Sequence, residues 1–450
     1  MRSMLSRGSS RKLVAVTASV VLAVTGLSTI AASAATKAPK VDYTVCPRYT
    51  GELTYMSSTY VERPDGLVVA DYIKAFMAAC PSVKVKVIGI PNNELNAKLT
   101  AMGVARNLPD VFETGPVWAS YGSSNKLIEN MTTMLGADYV AGIAKTNVDQ
   151  ATINGKLAFA PWFSIPTAIL YRTDIFKAAG LKPPTTWDSF LDICKKLTKD
   201  TDGDGKIDQY GWAMVGTDNG SGQGRFNTIA RNMGAVDLGK GSSGAWVVGQ
   251  NTDGWKAALK LYKDAVASGC VPPGQFSTGY PEASIQVAKG QAAMMITGPH
   301  SIGVVLANNP AAKGKLAGAP IPSATGVKAT TVINQLGFAI SMQSKHKVAA
   351  AAFIKFALSK KWSLAFNEAT YRLPANLEAQ ADPQVDSEMS AGFVKAGQGT
   401  LYIDPTAPFY GSIAALSSKA YQEAIKGDKT IDAIAADYAA KAQQIVKDNA

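Results

Sequence analysis

Residues 83–88 read Val83-Lys84-Val85-Lys86-Val87-Ile88, β-branched residues alternating with lysines. A period of two belongs to a strand with one dry face and one wet face. Upstream, Gly66 to Ala79 carries Leu67, Val68, Tyr72, Ile73, Phe76 and Met77 at three-to-four spacing, which predicts a helix ended by Cys80-Pro81. Before it, Leu53-Thr54-Tyr55-Met56 alternates like a strand. Downstream, Asn93 to Ala105 predicts a second helix with Leu95, Leu99 and Met102 inward, and Asp110-Val111-Phe112 begins a third strand. Strand–helix–strand–helix–strand with short connections predicts an α/β parallel sheet. Ligands of such sheets bind off the carboxyl ends of the strands. That rule selects three loops: Ser57-Ser58-Thr59, Pro91-Asn92-Asn93-Glu94 and Thr114-Gly115-Pro116-Val117-Trp118.

The same alternation continues further along. Ile165 to Tyr171 is an apolar strand-like run, and Asp174 to Ala179 a short helix closed by Gly180. Thr186 is a plausible N-cap for a helix over Trp187 to Leu197. Residues 216–254, rich in Gly, Ser and Asn, predict loops plus a short helix. Helices are expected over Asp253 to Ser268 and Val348 to Leu358, strands over Gln291 to Thr297 and Val332 to Ser341. Gly411 to Lys447 predicts two or three helices broken at Gly427.

Length and charge narrow the function. The 450 residues are enough for two large domains. Charged residues make up 18%, below the roughly 25% of an average soluble domain. Two histidines, His300 and His346, argue against a multi-histidine metal enzyme. Residues 1–12 hold Arg2, Arg7, Arg11 and Lys12 and no acid; Leu13 to Ile30 is largely apolar and Ala32-Ser33-Ala34 follows. This is the pattern of a secretory signal over residues 1–34. Removing it takes four cations and no anion, so the formal +11 falls to +7. No basic block is dense enough for nucleic acid. Cys46 lies well past the apolar stretch behind Thr44-Val45, which argues against a lipid anchor.

Three segments of the middle and one earlier match carry a family resemblance. The first is Gly155-Lys156-Leu157-Ala158-Phe159-Ala160-Pro161 with Leu170-Tyr171-Arg172-Thr173-Asp174-Ile175-Phe176-Lys177-Ala178-Ala179-Gly180-Leu181 and Pro184-Thr185-Thr186-Trp187. The second is Lys289-Gly290-Gln291-Ala292-Ala293-Met294-Met295-Ile296-Thr297-Gly298-Pro299. The third is Leu336-Gly337-Phe338-Ala339-Ile340-Ser341, then Ala351-Ala352-Phe353-Ile354-Lys355-Phe356 and Arg372-Leu373-Pro374-Ala375; Leu108-Pro109-Asp110-Val111 adds a weaker match. In this order they resemble the extracellular solute-binding proteins of sugar ABC importers, the maltose-binding-protein-like family. The same residues also serve structure: Gly290 and Gly298 mark turns, and Met294, Met295, Ile296, Trp187, Phe353 and Phe356 read as core.

The resemblance implies an α/β, two-lobe periplasmic-binding-protein fold of type II, two parallel-core sheets flanked by helices around a hinged ligand cleft. It places the N-terminal lobe at 45–165 plus 336–371 and the C-terminal lobe at 168–332 plus 375–450, with crossings near 165–168, 330–336 and 371–375. Four cysteines allow three pairings; Cys46–Cys80 with Cys194–Cys270 is favoured because each bond then stays within one lobe. A monomer is expected that captures a sugar or oligosaccharide and hands it to the importer's membrane subunits, without catalysis or a required cofactor. The alternatives are a binding protein for a non-sugar solute and a secreted carbohydrate-active enzyme.

A sugar offers C–H faces to aromatic rings and hydroxyls to amides and carboxylates. On that chemistry and the family's geometry the expected contacts are Ser57, Ser58, Asn93, Glu94, Thr114 and Trp118. Trp162, Trp246, Tyr280 and Tyr410 are expected stacking residues, and Pro299, His300, Asn334, Gln335 and Arg372 stand where strands reach the cleft. One motif is metal-like. Asp200, Asp202, Asp204 and Asp208, with the Lys206 carbonyl, match the first nine positions of a calcium loop turning at Gly205. Position 12 is Gly211 rather than Glu, so the loop reads either as a weak structural calcium site or as a solvated turn. No G-x-S-x-G or HExxH occurs, and Gly239-Lys240-Gly241-Ser242-Ser243-Gly244 reads as a flexible loop despite its G-x-G-x-x-G spacing.

Overall fold

The alternating strand is an edge. In the computed structural model of the chain, Val83–Gly89 (β2) pairs in parallel with Gly51–Ser57 (β1) alone, and Lys84 and Lys86 stand exposed. Lysines on an unpaired rim discourage strand addition. Here Lys86 also reaches Glu52 at 3.5 Å. The structure describes residue 46 and residues 48–449, without 386, 388, 398, 399, 403, 404, 406 and 408. The proposed signal segment 1–34 lies outside the described residues.

The first sheet continues inward to Val111–Thr114 (β3) and then to strands from much later in the chain. With Ala160–Pro166 as β4, Ala168–Arg172 as β5, Tyr210–Trp212 as β6, Ala292–Thr297 as β7, Leu316–Ala319 as β8, Thr330–Ile340 as β9, Leu373–Pro374 as β10 and Thr400–Tyr402 as β11, its order is β10-β4-β9-β3-β1-β2, with β11 against β9. The second sheet has the order β8-β5-β7-β6. The described residues belong to one compact unit.

The expected strand Ile165 to Tyr171 is two strands, one in each sheet, broken at Thr167. The chain returns to the first sheet between β8 and β9. Thr167 and Thr331 clasp these two passages: the Thr167 amide donates to Thr331 Oγ1 at 3.1 Å, and that hydroxyl donates to the Thr167 carbonyl at 3.0 Å. The crossings also change the pairing. Among the described residues, parallel ladders are confined to β1–β2, β1–β3, β9–β11 and β7–β6. The expected parallel core is therefore narrower than two whole sheets: β9 runs antiparallel to β3 and β4, and β5 antiparallel to β7 and β8. A strand that enters a sheet from the other lobe is not bound by the helical crossover that parallel neighbours need.

Helices cover the sheets by burying one stripe each. In the helix Asp65–Ala79, Val69, Tyr72, Ile73 and Phe76 face inward. Each such side chain contributes about 1.5–3 kcal/mol. Leu67, expected on that stripe, is instead 57% exposed, because Asp65 and Gly66 already turn the first residues of the helix inward. Thr186 caps the helix Trp187–Lys196 in a reciprocal capping box with Ser189. The Gly-rich region 216–254 holds more structure than expected, a full helix over Gly220–Asn232 and a hairpin of Leu238–Lys240 with Trp246–Val248. The G-x-G-x-x-G stretch lies in that hairpin. Cys46–Cys80 and Cys194–Cys270 are both bonded, with sequence separations of 34 and 76.

Candidate functional site

The three loops after β1, β2 and β3 do converge, and a buried carboxylate orders the first. Glu113 on β3 is fully enclosed and accepts six hydrogen bonds. Its Oε1 takes the hydroxyls of Tyr55 (2.6 Å), Ser57 (2.5 Å) and Thr59. Its Oε2 takes the Ser58 and Thr59 amides, at 2.7 and 3.0 Å, and the Ser58 hydroxyl at 3.0 Å. A buried carboxylate is tolerated when its lone pairs are filled in this way. Burial first, and then the neighbouring Glu113 charge, push the Tyr55 phenol well above its ordinary range. Glu113 is not among the residues expected from sequence; its one signal there is a single acid directly after Val111-Phe112.

This scaffold holds one wall of a cleft of about 460 Å³ between the two sheets. From the first sheet's side come Ser58, Thr59, Glu62, Asn92, Asn96 and the Gly115–Trp118 turn. The crossing strands supply Phe163, Ile165, Thr167, Gln335 and Arg372. From the second sheet's side come Ser221, Arg225, Tyr280, Gly298 and His300. Gly298 is required there: a β-carbon at that position would lie 2.0 Å from Ile165 Cγ2.

Charges in the cleft meet near Arg372. Its Nη1 lies 2.5 Å from Asp65 Oδ2, its Nη2 3.7 Å from Glu62 Oε2, and its guanidinium 5.2 Å from the Phe163 ring centre. Burial pushes the Glu62 carboxyl up to about 7, against the opposing pull of Arg372. Arg225 donates to the Ile296 carbonyl at 2.9 Å, to the Ser221 carbonyl and hydroxyl at 2.9 and 2.8 Å, and to Thr297 Oγ1 at 2.9 Å. It thus ties the helix Gly220–Asn232 to the end of β7, and burial lowers it to about 10. His300 packs edge-on against Tyr280, centres 4.8 Å apart. Burial, and then the Arg372 and Arg225 guanidinium groups, hold its imidazole well below the usual range. It therefore stays neutral and can exchange hydrogen bonds with hydroxyls.

Of the expected contacts, Ser58, Trp118, Tyr280, His300, Gln335 and Arg372 line this cleft. Two of these are heavily committed elsewhere. Trp118 is 3% exposed, packs edge-on against Phe112 at 5.3 Å and donates to Thr100 Oγ1, so it is mainly a core residue. The Gln335 amide exchanges hydrogen bonds with Asn147, accepting from its side chain at 2.9 Å and donating to its carbonyl at 3.1 Å.

The other expectations need correction. Ser57 is spent on Glu113, Thr114 is enclosed, and Glu94 points to solvent while Asn92 and Asn96 of the same helix face the cleft. Gly298 rather than its neighbour Pro299 reaches the wall. Trp162 is a core ring, its centre 4.2 Å from that of Phe366. Trp246 packs on Phe409 in the remote hairpin, under the Lys240 ammonium. Tyr410 is buried between Arg231 and Asp237, at 2.6 and 2.7 Å. The side chains of Asn93 and Asn334 lie outside the described residues. Tyr280, rather than the tryptophans, supplies aromatic surface; Phe163, like Trp118, borders the cleft as an almost wholly buried ring.

In the acidic loop, Asp200, Asp202 and Asp208 bring carboxylate oxygens within 4.8 Å of one another. Asp204 stands apart from that group, its Oδ1 taking the Lys206 amide at 2.8 Å. The Asp200 carboxyl is held below its ordinary value by the Gly205 and Gly203 amides.

The family model for bacterial extracellular solute-binding proteins matches residues 62–363, more than half of the chain. The chain belongs to this family. A Brucella abortus relative named only as a binding protein is 26% identical over 94% of this chain and 97% of its own. The diacetylchitobiose binding protein of Streptomyces coelicolor is 27% identical over 73% of this chain and 75% of its own. Among solved structures, the GacH receptor of Streptomyces glaucescens, determined unliganded and with acarbose, superposes with a TM-score of 0.77 at 19% identity over 89% of this chain and 100% of its own. Maltose-bound MalE3 of T. maritima gives 0.75 at 20% identity, over 88% and 99%. This solute-binding protein thus has the two-lobe fold of type II. Among its described residues no helix is long and apolar enough to cross a membrane.

Proposed function

We propose that this solute-binding protein captures a neutral sugar or oligosaccharide between its two sheets and delivers it to the membrane subunits of an ABC importer. The observation that carries the reading is the cleft's polar lining. Asn92, Asn96 and Ser221 line it beside the Tyr280 ring, and the Ser58 and Thr59 hydroxyls, which donate to Glu113, border it as acceptors. Arg372 is tied to Asp65, and Arg225 to the Ser221, Ile296 and Thr297 oxygens, so both guanidinium groups are engaged within the protein. A cleft whose cations are engaged and whose lining is otherwise neutral and polar favours a polyhydroxyl ligand over an ion. The diacetylchitobiose and maltose binders named above agree with that choice.

Binding is the whole task. The paired passages at Thr167 and Thr331 are where the lobes bend, so a ligand touching both lobes favours the closed form. The importer then reads closure. Residues 1–34 direct export and are removed, and the mature chain works as a monomer outside the cytoplasm. Asp200, Asp202 and Asp208 hold a structural calcium ion weakly, the bidentate acid of a full loop being replaced by Gly211.

A thermal-shift panel of neutral mono- and oligosaccharides, amino acids and polyamines tests the ligand class, with product analysis alongside. The reading requires a saccharide-specific rise in the unfolding midpoint and no change in the saccharide. Stabilisation by an amino acid or polyamine alone, or cleavage of the sugar, would refute it.

A further inference from the structure

The crossing strands have a second face. Side chains alternate along β4: Phe163 and Ile165 turn to the cleft, and Ser164 between them turns the other way. There Ser164 and its pairing partner Leu373 on β10 line a separate cavity of about 280 Å³. It shares no lining residue with the cleft. Thr146 and Asn147 of the helix Lys145–Ala151 border it, and so do Val394 and Gly397 of the helix Ala391–Gly397.

These two helices belong to different lobes. The chain just before the first is tied to the segment after β10. The Ala144 amide donates to the Ala375 carbonyl and the Leu377 amide to the Gly142 carbonyl, both at 2.9 Å, and Ile143 and Ala375 share the first lobe's core. The helix Ala391–Gly397 instead buries Phe393 with Leu170, Met295 and Leu316 of the second lobe. Its Gly392 lies so close to β8 that a β-carbon there would be 2.1 Å from the Gly318 carbonyl oxygen.

The lining is apolar at Leu373, Val385 and Val394 and includes no charged side chain among the described residues. Gln380 is spent on the Pro374 carbonyl at 2.7 Å. Ser164 is 4% exposed, and among the described residues its hydroxyl has no hydrogen-bond partner. A free hydroxyl in a neutral, largely apolar hollow complements a small aliphatic alcohol. Position gives such an occupant leverage. Rotation about the crossing strands that opens the cleft narrows this seam, so a filled seam disfavours the more open states. Gln335 joins the two faces, bordering the cleft while exchanging hydrogen bonds with Asn147 of the seam.

We propose that this back cavity is a second, regulatory binding site for a small neutral aliphatic alcohol, and that its occupancy raises affinity in the cleft. By linkage, a cleft ligand then tightens the alcohol by the same factor. Only this coupling rests on the sugar-capture reading; the cavity and its occupant do not.

The test uses the full mature protein and isobutanol as the probe. Saturation-transfer NMR compares the wild type with Ser164→Ala and Val394→Phe. Ser164→Ala breaks no hydrogen bond of the protein, which guards against a Val394→Phe variant that misfolds. The expected result is saturable isobutanol contact, about fivefold weaker in Ser164→Ala for the lost hydrogen bond, and absent in Val394→Phe. Calorimetry with maltose and diacetylchitobiose follows, with and without isobutanol. At saturating isobutanol the wild type binds its saccharide about fivefold more tightly, and Val394→Phe shows no response to the alcohol. Contact that does not saturate, or that both variants keep, overturns the site. Saccharide affinity indifferent to a saturable alcohol overturns the regulation. Failure of both saccharides to bind counts against the sugar reading, and the NMR comparison still decides the cavity.

Discussion

Glu113 shows how one side chain sets a binding loop. Replacing it with Ala leaves the Ser58 and Thr59 amides and four hydroxyls without their acceptor, at a cost of about 1–3 kcal/mol for each enclosed group left unpaired. The expected result is a lowered unfolding midpoint and at least about tenfold weaker sugar binding. Loss of stability with full affinity would show that the loop does not shape the site. Asp65 and Arg372 make a buried pair, so Asp65→Asn should cost about 3–5 kcal/mol in denaturant unfolding. Glu62 adds a pH dependence whose sign is fixed. The unfolded carboxyl loses its proton near 4.5 and the folded one near 7, so the folded state holds more protons in between. Stability therefore falls as pH rises from about 4.5 to 7. Glu62→Gln should flatten that slope in thermal melts; an unchanged slope would assign it to another group. Tyr280→Ala should weaken binding at least about tenfold at little cost in stability, whereas Trp118→Ala should lose about 3–5 kcal/mol because that ring is core. Residue choice was the least legible part of the sequence. A tryptophan's type does not say which face it turns inward, and Phe163, within a run of buried residues, gave no sign that it also bordered the cleft.

Elements were far more legible. Val83–Gly89, Asp65–Ala79 and Trp187–Lys196 lie within a residue or two of their expected limits, because period, cap and breaker all agree there. Two elements depart from the pattern for physical reasons. Thr167 interrupts an unbroken apolar run, and only the change of sheet makes it a boundary. The helix Gly220–Asn232 was hidden by its glycines, two of which, Gly220 and Gly224, open the backbone toward the cleft. Cys194–Cys270 closes a loop of 76 residues in the second lobe. In the chain-entropy model its removal costs about 4 kcal/mol. Cys194→Ala/Cys270→Ala should show that loss in denaturant unfolding while the first disulfide remains. The acidic loop makes its own prediction. Chelator should lower the unfolding midpoint of calcium-loaded protein, and Asp200→Asn/Asp208→Asn should abolish that response; no chelator effect would make the loop a solvated turn.

At the scale of the molecule, the two sheets and their crossings were implied by a resemblance spread over three segments. What no segment revealed was the meeting of Glu62, Tyr280, His300 and Arg372 in one cleft, since they come from separate stretches of the chain. The whole account rests on capture of a neutral saccharide between the lobes. Calorimetric titration of the mature protein with neutral oligosaccharides tests it most directly. The account predicts saturable binding at one site per monomer, with a negative heat-capacity change from buried apolar surface and the saccharide recovered intact. No binding heat with any saccharide, or recovery of cleaved sugar, would contradict it.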